Sequence, residues 1–271
     1  MRPTVIFVVL AIEASLFAQT PDCDSLSSEQ KKVVNTVFAS EHPYDGCDGT
    51  FEECLKEKKV HPLVQRLASW ICRKAKAGQS SSQISQSLRR RALSMMKQGT
   101  KYSIDISKAI VVGSESAPVK VAIYLCARCP YCSKLVPQVY REVMSGRLRN
   151  IAVLYIKLFP IKSHEHSAEA NMAVAAAASL GKGIEYLLKI YENFDNFSVD
   201  ALSCYADAVG LNRTLFEAKM KEVRDVVVES KKEGIRNTVD ATPTIFINDR
   251  KWQGDLDIDT VVDAILEEQG L

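Results

Sequence analysis

Seven residues, Cys126-Ala-Arg-Cys129-Pro-Tyr-Cys132, constrain this chain more than any other feature. They lie between two runs of different character. Val119 to Leu125 is short, apolar and partly β-branched, which suits a buried strand. Pro130 to Met144 reads as a helix, and Pro130 fits a first helical turn, where no amide donor is required. Cys129 then occupies the helix N-terminus, where free amides and the macrodipole favour a thiolate. Thiols so placed fall from a pKa of about 8.5 to roughly 3.5–7.5. Cys132 follows one turn later on the same face, within disulfide reach. The expectation is an exposed attacking sulfur, Cys129, and a more buried resolving one, Cys132.

The motif sits in the second of two segments. Residues 19 to about 100 read as all helix. Ser27 with Gln30, and Thr50 with Glu53, are candidate capping boxes. Leu63, Leu67, Ile71 and Ala75 recur at i+4, as do Ile84, Leu88, Ala92 and Met96. The turn at Gly99-Thr100 marks the expected boundary. From residue 101 the order is strand (119–125), helix (130–144), strand (151–158), a helical block (about 165–237), strand (244–247), a turn at Asn248-Asp249 and a final amphipathic helix. That is an α/β layout with helices packed on a mixed sheet.

A second element lies far downstream, where Ala241-Thr242-Pro243-Thr244 puts a proline just before a strand. Together the two elements resemble the thioredoxin fold, in which a cis-proline faces the active-site cysteines. The closer resemblance is to the DsbA-like thiol:disulfide oxidoreductases. It is carried by Val112-Gly113 through Ala117-Pro118-Val119, by Cys-Pro-Tyr-Cys, and by Pro137 inside the helix. Phe159-Pro160 followed by His164 and an alanine-rich helix, the Thr-Pro-Thr-Ile-Phe-Ile-Asn248 ending and Gly254 complete it. It covers about residues 104–269, and the helical block matches that family's inserted helical domain.

The resemblance implies a nucleophile, Cys129, and a resolving thiol, Cys132. It implies that Thr242 and a cis-Pro243 flank them, with Pro130 and Tyr131, and pair with an extended substrate chain. The implied partners are protein thiols and disulfides and a redox partner protein, a membrane oxidase or reductase. Cys126 departs from the family's usual aromatic or polar residue. It reads either as a further redox thiol or as a buried thiol packed as a small hydrophobe. Two other classes stay open, a non-catalytic peptide-binding module and a metal or iron–sulfur carrier using Cys126, Cys129 and Cys132.

Cys23, Cys47, Cys54 and Cys72 all lie in the helical segment. Cys47-x6-Cys54 is not a usual zinc spacing, and structural disulfides are expected, with three connectivities open. Residues 63–96 loosely resemble the helical hairpin of CcmH-like cytochrome c maturation proteins but lack their Cys-x-x-Cys. The start of the chain sets the expected compartment. Met1-Arg2, the apolar run Val5–Ile12 and Ala14-Ser-Leu-Phe-Ala18 read as a signal peptide over 1–18, hence a periplasmic or secreted protein.

Composition narrows the rest. In 271 residues, 46% hydrophobic and 25% charged, a packed core is affordable and disorder is excluded. A net charge of +2 gives no case for nucleic acid. No apolar run reaches the roughly 18 residues of a membrane span. With no Cys-x-x-Cys-His and no Gly-rich phosphate loop, no cofactor and no metal is expected. His164 and His166 read as solvated or capping residues, Arg89-Arg90-Arg91 as a solvated face, and Cys204 as an inert thiol.

Overall fold

The computed structural model describes residues 21–96 and 99–270. The expected signal peptide lies outside them. The chain divides into two compact units, one ending at Arg89 and one beginning at Arg90.

The first unit packs helices around one apolar cluster. A short 3-10 turn, Pro21–Cys23, precedes α1 (Ser28–Ser40), α2 (Phe51–Cys54), α3 (Pro62–Lys76) and the start of α4 (Ser81–Met95). Both capping boxes form: Ser27 with Gln30 opens α1, and Thr50 with Glu53 opens α2. Val34, Val37 and Phe38 of α1 meet Leu67, Trp70 and Ile71 of α3, with Phe51, Ile84 and Leu88 closing the cluster. Each such side chain contributes roughly 1.5–3 kcal/mol when fully buried.

Two disulfides pin this cluster, Cys23–Cys72 and Cys47–Cys54, with sequence separations of 49 and 7. The longer loop removes more freedom from the unfolded chain, by about 4 kcal/mol in the loop-entropy account. Replacing Cys23 and Cys72 together by serine is therefore expected to cost the first unit about 2–5 kcal/mol. Hydrogen exchange in α1 and α3 checks it, since their protection should fall while that of the second unit's sheet holds.

The second unit is a five-stranded sheet with helices around it. Its elements are β1 (Ile110–Val112), β2 (Val119–Leu125), α5 (Pro130–Met144) and β3 (Ala152–Leu158). Then come α6 (Ser167–Ser179), α7 (Gly183–Glu192), α8 (Leu202–Ala208), α9 (Arg213–Glu222) and α10 (Arg224–Arg236). The chain ends with β4 (Thr244–Ile247), β5 (Arg250–Lys251) and α11 (Ile258–Glu268). Strand order is β1-β3-β2-β4-β5. β2 and β3 run parallel through the α5 crossover, and the other pairings are antiparallel. Six of the seven β2 residues and all seven of β3 are buried, as befits central strands covered on both faces.

The helical block after β3 is five helices rather than one stretch. Gly181 and Gly210, at φ +79° each, take left-handed conformations that end α6 and α8. Tertiary pairing explains β1 as well, since three residues forming an edge against β3 carry no alternation to read.

The Arg89–Arg91 run is not a uniformly solvated face. Arg89 reaches Glu41 within the first unit, but Arg91 is fully buried and bonds Asp263 at 2.7 Å and Glu267 at 2.5 Å on α11. Arg90 pairs with Asp255. These ties place the division between units inside α4, ahead of the expected turn at Gly99-Thr100. A second buried pair lies under the sheet. Lys157 of β3 meets Glu233 of α10 at 2.6 Å and donates to the Asp105 carbonyl. Glu233 also accepts the Asp105 amide at 2.6 Å.

Candidate active site

The register of the sheet brings the two distant motifs together. β4 runs antiparallel to β2 with Tyr124 opposite Thr244, so residues 242–243 lie just beyond the end of β2. There the chain turns, the Cys129 amide donating to the Cys126 carbonyl at 3.0 Å, and α5 begins. Cys129 is the N-cap, with extended backbone, and Pro130 is the first helical residue. The Thr242-Pro243 bond is cis, and the Thr242 carbonyl accepts a hydrogen bond from the Cys129 thiol at 3.2 Å.

The two sulfurs differ in surroundings rather than in exposure. Cys129 is only 1% exposed and Cys132 is fully buried, so the expected exposed attacking thiol is covered in this state. The Thr242 loop bonded to its sulfur is part of that cover. The Cys129 thiol is lowered to about 5, first by a hydrogen bond from the Cys132 thiol. Burial opposes this, and the Thr242 side chain and the amides of Cys132 and Tyr131 reinforce it. Cys132 is pushed well up, first by burial and then by donating a hydrogen bond to the Cys129 sulfur. One sulfur is thus disposed to ionise and its neighbour to donate to it. Tyr131, between them, is 72% exposed and presents its ring to solvent.

Small-molecule alkylation of the reduced protein should follow that ionisation. The Cys129 rate is expected to stay level across neutral pH and to halve near pH 5, whereas an unperturbed thiol halves near about 8.5. The folded value lies below the unfolded one. The thiolate therefore stabilises the reduced protein fully above about pH 8.5, and that contribution is lost as pH falls through about 5.

Cys126 ends β2 and is fully buried, but it is not packed only against apolar groups. Its sulfur accepts from the Arg128 amide at 3.4 Å and from Asn171 Nδ2 at 3.6 Å. His164 Nδ1 lies 3.4 Å away and Ser167 Oγ 3.3 Å away. Sequence reasoning missed Ser167 and Asn171 and read His164 as solvated or capping, whereas it is half-buried against this sulfur. Ser167 and Asn171, one turn apart in an alanine-rich helix, were the available signal. Beside them, Arg128 is clamped between the rings of Phe194 and Phe197, each 4.4 Å from the guanidinium, and donates to the Phe194 carbonyl at 2.7 Å. His166 opens α6 in a left-handed conformation without a side-chain cap, and Cys204 is exposed on α8.

The carrier alternative finds no support in this geometry. Among the described residues, the Cys, His and carboxylate ligand atoms that converge within 4.8 Å are those of Cys47, Cys54 and Glu57. Both of those sulfurs are already in a disulfide. Cys126, Cys129 and Cys132 do not converge to that degree.

The sequence pattern of the family described as thioredoxin matches residues 106–267. Among curated proteins, the chain is 23% identical over 172 residues to the Na(+)/H(+) antiporter NhaA 1 of Mycolicibacterium gilvum. The matched stretch covers 62% of this chain and 28% of that protein, so the chain spans little more than a quarter of such relatives' length. Among solved structures, BdbD from Bacillus subtilis (oxidised) is similar at a TM-score of 0.56 and 19% identity, over 64% of this chain and 98% of that one. A thioredoxin-like oxidoreductase from Silicibacter pomeroyi DSS-3 is similar at 0.52 and 22% identity, over 61% and 94%. At these identities the likeness to solved structures is one of fold.

Proposed function

This chain belongs to the thioredoxin family, its second unit having the DsbA-like variant of the fold, and on that premise we propose that it exchanges disulfides with protein substrates through Cys129 and Cys132. The observation that carries this reading is the place of Cys129 at the start of α5, one turn from Cys132 and hydrogen-bonded to the Thr242 carbonyl beside cis-Pro243. In the reducing direction, Cys129 attacks a substrate disulfide and one substrate thiolate leaves. Cys132 then attacks Cys129, the mixed disulfide breaks, and the second substrate thiol is released. In the oxidising direction the same steps run backwards from the Cys129–Cys132 disulfide. Pro130, the exposed Tyr131, Thr242 and Pro243 frame the sulfurs and would hold an extended substrate segment.

Two disulfides in the first unit support an oxidising compartment, periplasmic or secreted, since such bonds persist there. No helix among the described residues is long and apolar enough to cross a membrane. A membrane oxidase or reductase as redox partner completes the proposal.

The test is capture. With Cys132 and Cys126 both replaced by serine, so that no neighbouring thiol resolves the adduct, substrate proteins should stay linked to Cys129 through a bond that reductant cleaves. Cys129→Ser should capture none, and equal capture by both variants would sink the reading. The direction of electron flow has its own measurement. A thiol near 5 falls between those of weakly and strongly oxidising pairs, so equilibration with glutathione is expected to give a potential between about −270 and −120 mV.

A further inference from the structure

We propose that Cys126 is a second resolving thiol, with His164 as its base, able to release substrate from Cys129 by forming a Cys126–Cys129 disulfide. The inference rests on the exchange reading above and deepens it. A cysteine that packs as a small hydrophobe needs no polar company. Cys126 is fully buried and yet has four polar groups on its sulfur.

Their orientation is fixed by other bonds. Asn171 Oδ1 accepts the Ala127 amide at 3.4 Å, while its Nδ2 donates to the Ser167 carbonyl at 2.7 Å, so the amino end of that amide faces the sulfur. His164 sits at the rim of this cage and is half-buried, so a proton taken from the sulfur at Nδ1 has an outlet to solvent.

The backbone supplies the reach. The 3.0 Å bond from the Cys129 amide to the Cys126 carbonyl closes a four-residue turn. Such a turn holds its end Cα atoms within about 7 Å, and a disulfide needs roughly 4.4–6.8 Å. Nucleophilic Cys129 therefore has a thiol three residues away on each side.

The step is an exchange and needs no outside oxidant. With substrate linked to Cys129, the Cys126 thiol gives its proton to His164 Nδ1 and its sulfur attacks Cys129 Sγ. The Cys126–Cys129 bond forms, and the bond from Cys129 to substrate breaks. The substrate thiolate leaves with the electron pair and takes the proton from the imidazolium. Cys132 can then attack Cys129 in turn, returning Cys126 to its thiol and leaving the Cys129–Cys132 disulfide.

The experiment uses the full chain carrying Cys204→Ser, which removes an exposed thiol outside the site, and dipyridyl disulfide as the probe. One equivalent of pyridinethione reports the adduct on Cys129, and a second reports its resolution. In Cys132→Ser the second equivalent is expected, because Cys126 remains. In Cys132→Ser/Cys126→Ser the adduct should persist. Adding His164→Gln to Cys132→Ser should slow release by about 10²-fold, the loss of a general base.

The chain's own sequence gives a second readout that needs no substitution at Cys126. Trypsin cuts after Arg128, so a Cys126–Cys129 bond joins two peptides, whereas a Cys129–Cys132 bond lies within one. The joined pair is expected from Cys132→Ser, where no later exchange moves the bond on to Cys132. Equal adduct lifetimes in the single and double variants, or no joined pair, overturn the second resolving thiol while the Cys129 adduct upholds exchange. If Cys129 takes no adduct in any variant, the exchange reading falls, and this inference with it.

Discussion

Replacing Cys129 by serine is expected to stop disulfide exchange entirely. A hydroxyl forms no mixed disulfide, and the Cys132 hydrogen bond and helix-start amides that lower the Cys129 thiol have no thiolate to act on. The loss is the whole catalytic enhancement, about 10⁶-fold or more by general enzyme standards. Reduction of an insulin-type substrate should proceed no faster than in buffer with the same reductant. Cys204→Ser provides the contrast. That thiol is exposed on α8, with the Arg213 guanidinium at 3.8 Å, and its loss should leave turnover unchanged. A Cys129→Ser protein that still turns over would place the chemistry elsewhere in the molecule.

The second large effect is on stability. Glu233→Ala would take the carboxylate from the Lys157 ammonium, whose side chain is 4% exposed, leave it the Asp105 carbonyl, and free the Asp105 amide. Breaking one side of a buried pair costs about 3–5 kcal/mol. For a unit of this size that corresponds to roughly 6–20 °C in Tm. Asp207→Ala is the comparison. It breaks an ion pair with Arg213 whose side chains are about half exposed, and such pairs contribute about 0–1 kcal/mol. Thermal unfolding of the two variants should separate them clearly. Similar shifts would mean that solvent reaches the Lys157–Glu233 pair.

What the sequence made legible was local. The strand Val119–Leu125 and the helix Pro130–Met144 were read to the residue, because a continuous apolar run and a proline at the first helical position are signals carried by neighbours. The capping boxes at Ser27 and Thr50 are of the same kind. What stayed hidden depended on partners far along the chain. Nothing near Arg91 announces Asp263 and Glu267, so a run of three arginines read as solvent-facing. The pairing of Cys23 with Cys72 is likewise a matter of how α3 returns to the chain start. Cys129 was placed at the helix start with Thr242 and Pro243 facing it, but how completely its sulfur is covered was not legible, so its exposure was misjudged. Cys126 was seen as unusual, but its company comes from the loop before α6 and from α6 itself, about 40 positions on.

The partner of Cys129 at Thr242 lies 113 positions downstream. A polypeptide made from its N-terminus therefore presents Cys129 long before the segment that covers it exists. During that interval the helix amides can already sharpen the sulfur, but the cis-proline loop that frames the pair is missing. Reactivity thus arrives in two instalments, the first encoded nearby and the second withheld until residue 242 has been made. A truncated product ending before residue 242 would carry Cys129 without its cover, and with it an indiscriminate appetite for passing disulfides.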